Sequence, residues 1–127
     1  MKVLLAIDGS QCSDLAVTSV TSRAWHPDTQ FEVITVVDPL IPDFVLSEGY
    51  LLQEVEKAKQ QEEENCQSLL NKTMAKLKKA FPGYEIGGWL LEGKVCEQII
   101  SEATKWGADL IVLGSHGRRG MSKLFIG

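Results

Sequence analysis

Four short runs of apolar residues, separated by stretches with helical spacing, constrain the fold of this sequence most. The runs occupy residues 3–7, 31–37, 84–91 and 110–113. In most of them apolar residues follow one another directly and do not alternate with polar residues. Strands of this kind lie inside a parallel sheet, where helices cover both faces. The third run is the weakest, because Gly87 and Gly88 interrupt it. The pattern predicts an α/β fold.

The intervals between these runs carry apolar residues at steps of three and four, which predicts three helices. The first begins at Ser13 or Asp14 and buries Leu15, Val17, Val20 and Ala24. The second spans residues 50–80, and its three glutamates at 62–64 are interpreted as a solvated face. The third spans residues 95–106, with Gly107 as its C-terminal cap.

This alternation predicts a single domain over residues 1–127, built on a doubly wound, Rossmann-like parallel sheet with strand order 3-2-1-4. Right-handed crossovers give this order if the chain changes sheet face after the third strand. The order reverses between the first and fourth strands, and open sheets bind ligands at that point, beyond the carboxyl ends of the strands. Asp8 follows the first strand and Gly114 follows the fourth, so we expect them to lie close together at a binding site.

The segment that follows the fourth strand, residues 114–127, is rich in glycine and contains Arg118 and Arg119. Glycine lets backbone N–H groups approach a ligand, and successive N–H groups form sites for anions. Guanidinium groups pair well with phosphate oxygens. A phosphate-binding loop and a plain exposed turn both fit this composition. The spacing matches neither the Walker A loop nor the dinucleotide fingerprint, because the loop glycines fall at 114, 117, 120 and 127.

The spacing G-x2-G-x9-G from Gly114 to Gly127 resembles the nucleotide loop of the universal stress protein family. VLLAIDGS near the start and ITVVD at residues 34–38 are similar to the first two strands of that family, so the resemblance covers almost the whole chain. It implies a stress-response regulatory module that binds ATP or another adenine nucleotide. The residues implied to contact the nucleotide are Ala6 and Asp8 at the adenosine, Val36 at the adenine, and Leu113, Gly114, Gly117 and Gly127 at the ribose and phosphates, and we add Arg118 as a phosphate neighbour.

In the family this loop ends in G-[ST] and is followed by a helix and a fifth strand that commonly builds the dimer. The sequence stops at Gly127, so the fifth strand is missing. We therefore expect the natural chain to continue, and the full-length protein to be a homodimer.

Composition and charge argue against several other classes of protein. The net charge of −4 gives no support for binding nucleic acid, and no run approaches the roughly 18 apolar residues of a membrane span. Cys12, Cys66 and Cys96 are far apart in the sequence, which is typical of reduced thiols in a cytoplasmic protein.

Catalysis and protein interaction are the competing functions. His116 could act as a base, because an unperturbed imidazole exchanges its proton near neutral pH. The sequence places no second base, nucleophile or paired carboxylate with it, and Ser115 forms no nucleophile elbow. Bound Mg²⁺ and positioned phosphates could still support slow ATP hydrolysis. The third alternative is an interaction module whose nucleotide loop is vestigial. The loop at residues 40–49 is interpreted as packing over the sheet end, as a nucleotide lid or as a contact for a partner.

Overall fold

The computed structural model describes residues 1–38 and 52–114, which form one parallel four-stranded sheet with helices on both faces. The strands are β1 (Lys2–Ala6), β2 (Gln30–Val37), β3 (Glu85–Glu92) and β4 (Leu110–Leu113). Their order is β3-β2-β1-β4, which confirms the predicted fold class and strand order. The single-domain prediction for the whole chain is untested, because residues 39–51 and 115–127 lie outside the described ranges.

In the described parts of the chain, three helices connect the strands, and the sheet divides the core into two layers. They are α1 (Gln11–Thr21), α2 (Leu52–Ala80) and α3 (Val95–Trp106). Helices α1 and α2 pack on one face of the sheet, against alternate strand residues such as Leu5 and Phe31. Helix α3 packs on the other face, against residues such as Leu4 and Ile34. Both faces of β1 and β2 are therefore buried, as their largely apolar sequences predict.

The predictions for α1 were partly wrong. Ser10 is the N-cap, and its Oγ accepts a hydrogen bond from the Ser13 backbone N–H at 3.1 Å, so the helix begins before Ser13. Leu15 is 65% exposed, and Ala24 lies beyond the helix end and is exposed. The buried residues are instead Ser13, Ala16, Val17 and Val20. Two small residues on this face let the helix lie close to the sheet, which an interpretation based on apolar size alone misses.

The glycine pair in β3 does not break the strand, because it pairs with β2 along its whole length. A Cβ atom at Gly88 would collide with the Sδ atom of Met74, so this glycine makes room for α2. A Cβ atom at Gly87, on the other face, would meet no described atom within 4 Å. Gly88 thus allows α2 to pack closely on the sheet, whereas Gly87 leaves an open space on the opposite face.

Candidate functional site

A shallow cleft lies where the carboxyl ends of β1, β2 and β4 meet the first turns of α1 and α3. Its lining residues are Ala6, Ile7, Asp8, Ser13, Ile34, Val36, Val95, Ile99, Leu113 and Gly114. Five residues predicted for the nucleotide site, Ala6, Asp8, Val36, Leu113 and Gly114, are therefore brought together. The other three, Gly117, Arg118 and Gly127, lie outside the described residues, as do Ser115, His116 and Arg119.

The cleft holds about 50 Å³, which corresponds to one or two water molecules. The described residues therefore supply a floor against which a larger ligand could lie. Most of that floor is apolar, with Val36 and Leu113 half-buried and facing α3. Asp8 and Ser13 supply polar atoms at its edge.

Asp8 is held in place by a network of hydrogen bonds in the turn that joins β1 to α1. Its Oδ1 atom accepts from the Ser10 backbone N–H at 2.8 Å, and its own backbone N–H donates to Ser13 Oγ at 3.1 Å. Gly9 completes the turn with a φ of +81°, a conformation that favours glycine. Asp8 therefore has a structural role in this turn, as Asp before Gly often does, and the same bonds fix its carboxylate at the rim of the cleft.

Gly114 has a packing role that the sequence does not reveal. A Cβ atom here would lie 2.5 Å from the Cys12 carbonyl carbon and 2.6 Å from the Ser13 backbone nitrogen. Both contacts are with backbone, which cannot move aside as a flexible side chain can. A glycine is therefore required because the end of β4 lies directly against the first turn of α1.

Several lining residues were absent from the predicted site, including Ser13, Val95 and Ile99. The predicted topology could have indicated Val95 and Ile99. Helix α3 begins just after the carboxyl end of β3, so its first turns must lie near the edge at which ligands bind. Ser13 could not be found in this way, because the predicted start of α1, at Ser13 or Asp14, is later in the sequence than the observed start at Gln11.

Within residues 1–38 and 52–114, no group of three or more His, Cys, Asp or Glu residues could hold a metal ion. None of the helices in those same ranges is long and apolar enough to cross a membrane.

Comparison with known proteins gives matches among solved structures and to one family model. A search of curated proteins gives no match. Among solved structures, the hypothetical protein MJ0577 has a TM-score of 0.72 at 20% identity, covering 99% of this chain and 82% of that one. A universal stress family protein from Burkholderia pseudomallei has a TM-score of 0.68 at 26% identity, covering 91% and 81%. A universal stress protein in complex with cAMP has a TM-score of 0.62 at 20% identity, covering 89% and 75%.

The two matches at 20% identity support the fold alone. The family model described as "Universal stress protein family" matches residues 1–127, the full length of the sequence. The chain therefore belongs to the universal stress protein family.

Proposed function

We propose that this chain is a regulatory protein of the stress response that binds ATP at the cleft between the carboxyl ends of β1 and β4. One observation carries the proposal. Residues 6 and 8 near the start of the chain, residue 36 in β2, and residues 113 and 114 more than 70 positions later all line this one cleft. The cleft also lies at the point of the sheet where the strand order reverses, which is where open α/β sheets bind ligands.

The chemistry of the floor suits the nucleoside part of ATP. The apolar surface at Ala6, Val36 and Leu113 offers a contact for the flat adenine ring. The carboxylate of Asp8 at the rim is an acceptor for ribose hydroxyl groups. The cAMP complex of a structural neighbour is compatible with a bound adenine nucleotide.

In this proposal the phosphates lie along the glycine-rich segment that begins at Gly114, with Gly117, Arg118 and Gly127 as their neighbours. Mg²⁺ would accompany the phosphates, since it is usually held by phosphate oxygens and water. We propose regulation by binding and not rapid turnover, because the sequence places no base and nucleophile together. A cytoplasmic homodimer stays a prediction for the full-length protein.

Calorimetric titration of the whole chain with ATP, with and without Mg²⁺, tests the proposal. The informative variant is Asp8→Asn, because asparagine keeps the oxygen that accepts from Ser10 while it removes the charge. We expect it to weaken ATP binding about tenfold, the value of one charge-assisted hydrogen bond. Asp14→Asn is the matched control, since Asp14 is exposed on the neighbouring first turn of α1 and does not line the cleft.

Two results would count against the proposal. The absence of heat and of any thermal shift at millimolar ATP would exclude nucleotide binding at a useful strength. Equal ATP affinity in Asp8→Asn and the parent would return Asp8 to a purely structural role in the turn.

A further inference from the structure

A second and larger cleft, of about 900 Å³, lies on the face of the sheet that α3 covers, beside β3. It extends from the first residues of β2 and β3 towards the end of α3. Its polar and aromatic lining consists mainly of Glu32, Glu85, Trp89, Glu102, Lys105 and Trp106. Among the described residues it shares no lining residue with the cleft proposed for ATP. Its volume is in the range of small-molecule sites.

Glu32 is the unusual residue of this second cleft. It interrupts the apolar run of β2 and is only 4% exposed, yet its Oε1 atom has no hydrogen-bond partner among the described residues. Its register partner on β3 is Gly87, which has no side chain to cover it. A buried carboxylate oxygen without a partner is costly, so this atom is suited to accept a hydrogen bond from a ligand.

The charge of the lining favours a cation. Three carboxyl groups, those of Glu32, Glu85 and Glu102, line the cleft, against the ammonium group of Lys105 in the lining and that of Lys2 beside Trp106. An anionic ligand would meet this excess of carboxyl groups, whereas a cation would be attracted to it. The cleft therefore favours cations, whereas a phosphate site favours anions.

Trp89 adds an aromatic surface at the mouth of the cleft. It is 56% exposed, although it is the register partner of the fully buried Ile34. Cations bind favourably over the face of an indole ring. Trp106, the second tryptophan in the cleft lining, already has a cationic partner. Lys2 Nζ lies 5.5 Å from the centre of its ring and donates a hydrogen bond to its carbonyl oxygen at 3.0 Å.

We propose that this cleft binds a small organic cation with N–H donors, of the alkylguanidinium or alkylammonium class. An N–H group donates to Glu32 Oε1, and the cationic group lies against Trp89. Glu102 supplies a second carboxyl group from α3. The requirement for an N–H donor follows from the unpaired oxygen, and the requirement for positive charge follows from the lining.

The ionisation of Glu32 supports this arrangement and supplies an independent measurement. Burial, then a hydrogen bond with the Glu102 carboxyl group and the negative charge of Glu102, raise the pKa of Glu32 to about 7. A hydrogen bond from Trp89 and the positive charge of Lys2 oppose this rise. A cation stabilises the ionised form, so binding at pH 7 releases a proton from the carboxyl pair. Calorimetric titrations in two buffers of different ionisation enthalpy detect that release, because the measured heat of binding then differs between the buffers.

The test uses the whole chain and three probes of similar size. Butylguanidinium carries charge and N–H donors, butylurea has donors without the charge, and butyltrimethylammonium has the charge without donors. We expect saturable binding of butylguanidinium with proton release, and at least tenfold weaker binding of the other two. No saturable binding of butylguanidinium at millimolar concentration would overturn the proposal, as would equal affinity for butylurea.

Substitutions then locate the site. Glu32→Gln should weaken butylguanidinium binding at least tenfold and abolish the proton release, and Trp89→Leu should weaken binding severalfold. Glu97→Gln is the control, since Glu97 is exposed on α3 and does not line the cleft. Both cleft variants should bind ATP as the parent does, which separates this proposal from the first. Unchanged butylguanidinium affinity in a folded Glu32→Gln protein would refute the assignment.

Discussion

Replacement of Glu32 by glutamine should change the way in which the free energy of unfolding depends on pH. Burial is the largest cause of the raised pKa of Glu32, which moves from an ordinary 4.5 to about 7 in the folded protein. The charged or titratable groups that act on it are Glu102 from α3, which adds to the rise, and Lys2 from β1, which opposes it. Glu85 and Lys105 line the same cleft.

The sign of the effect follows from the number of bound protons. The unfolded chain loses the Glu32 proton near pH 4.5, whereas the folded protein keeps it until about pH 7. Between these values the folded state binds more protons, so a rise in pH lowers its stability. The stabilisation is complete below pH 4.5 and is lost as the pH rises through 7.

The magnitude has an upper bound of roughly 3–4 kcal/mol, from the difference between these pKa values at ~1.4 kcal/mol per pH unit. The cleft is open to solvent on one side, and solvent screens the repulsion between Glu32 and Glu102. We therefore expect a loss of roughly 1–2 kcal/mol between pH 4.5 and 7.5. Glutamine has a similar shape and no proton to lose, so Glu32→Gln should lack this loss.

Urea unfolding of three proteins across this pH range provides the assay. The parent and the Glu97→Gln control should lose stability relative to Glu32→Gln as the pH rises. Other titrating groups contribute alike to all three proteins, so the difference between the curves isolates the carboxyl pair. Parallel curves for the parent and Glu32→Gln would show that Glu32 ionises normally and would refute the reasoning.

Two further predictions concern the turns around the first cleft. Gly114→Ala should destabilise the fold by about 1–3 kcal/mol, because its Cβ atom would meet the backbone of Cys12 and Ser13, whereas Gly87→Ala should be neutral or slightly stabilising. Thermal unfolding of both variants checks this, and equal melting temperatures would contradict it. Ser10→Ala should cost about 1 kcal/mol, because it removes the oxygen that caps α1, and an unchanged urea midpoint would show that the cap contributes nothing.

The strands and their order could be predicted because β1 and β4 are continuous apolar runs and β2 is largely apolar, each bounded by turn residues. Such runs have few alternatives to a doubly covered parallel sheet, and handedness then limits the topology. Helix α3 was predicted with its observed bounds, since Gly107 takes the left-handed conformation that ends it. The start of α1 was placed wrongly, because Ser10, Ser13 and Asp14 are all good capping residues and only the tertiary structure selects among them.

The second cleft could not be predicted by the same reasoning. Its cause is a pairing between two distant residues, Glu32 and Gly87, which the sequence lists more than 50 positions apart. Glu32 is a charged residue inside an apolar strand, which is unusual, but its role depends on which residue of the neighbouring strand pairs with it. Only the pairing of β2 with β3 shows that the residue directly across from Glu32 has no side chain.

Gly114 shows that a correct residue can be predicted for an incomplete reason. The sequence argument places a glycine here so that backbone N–H groups can approach phosphate. In the structure the backbone of Cys12 and Ser13 already leaves no room for a side chain at this position. Loss of ATP binding in a Gly114 variant would therefore follow from a displaced α1 as readily as from a damaged phosphate site. Asp8→Asn, which preserves the turn, is for this reason the more decisive test of nucleotide binding.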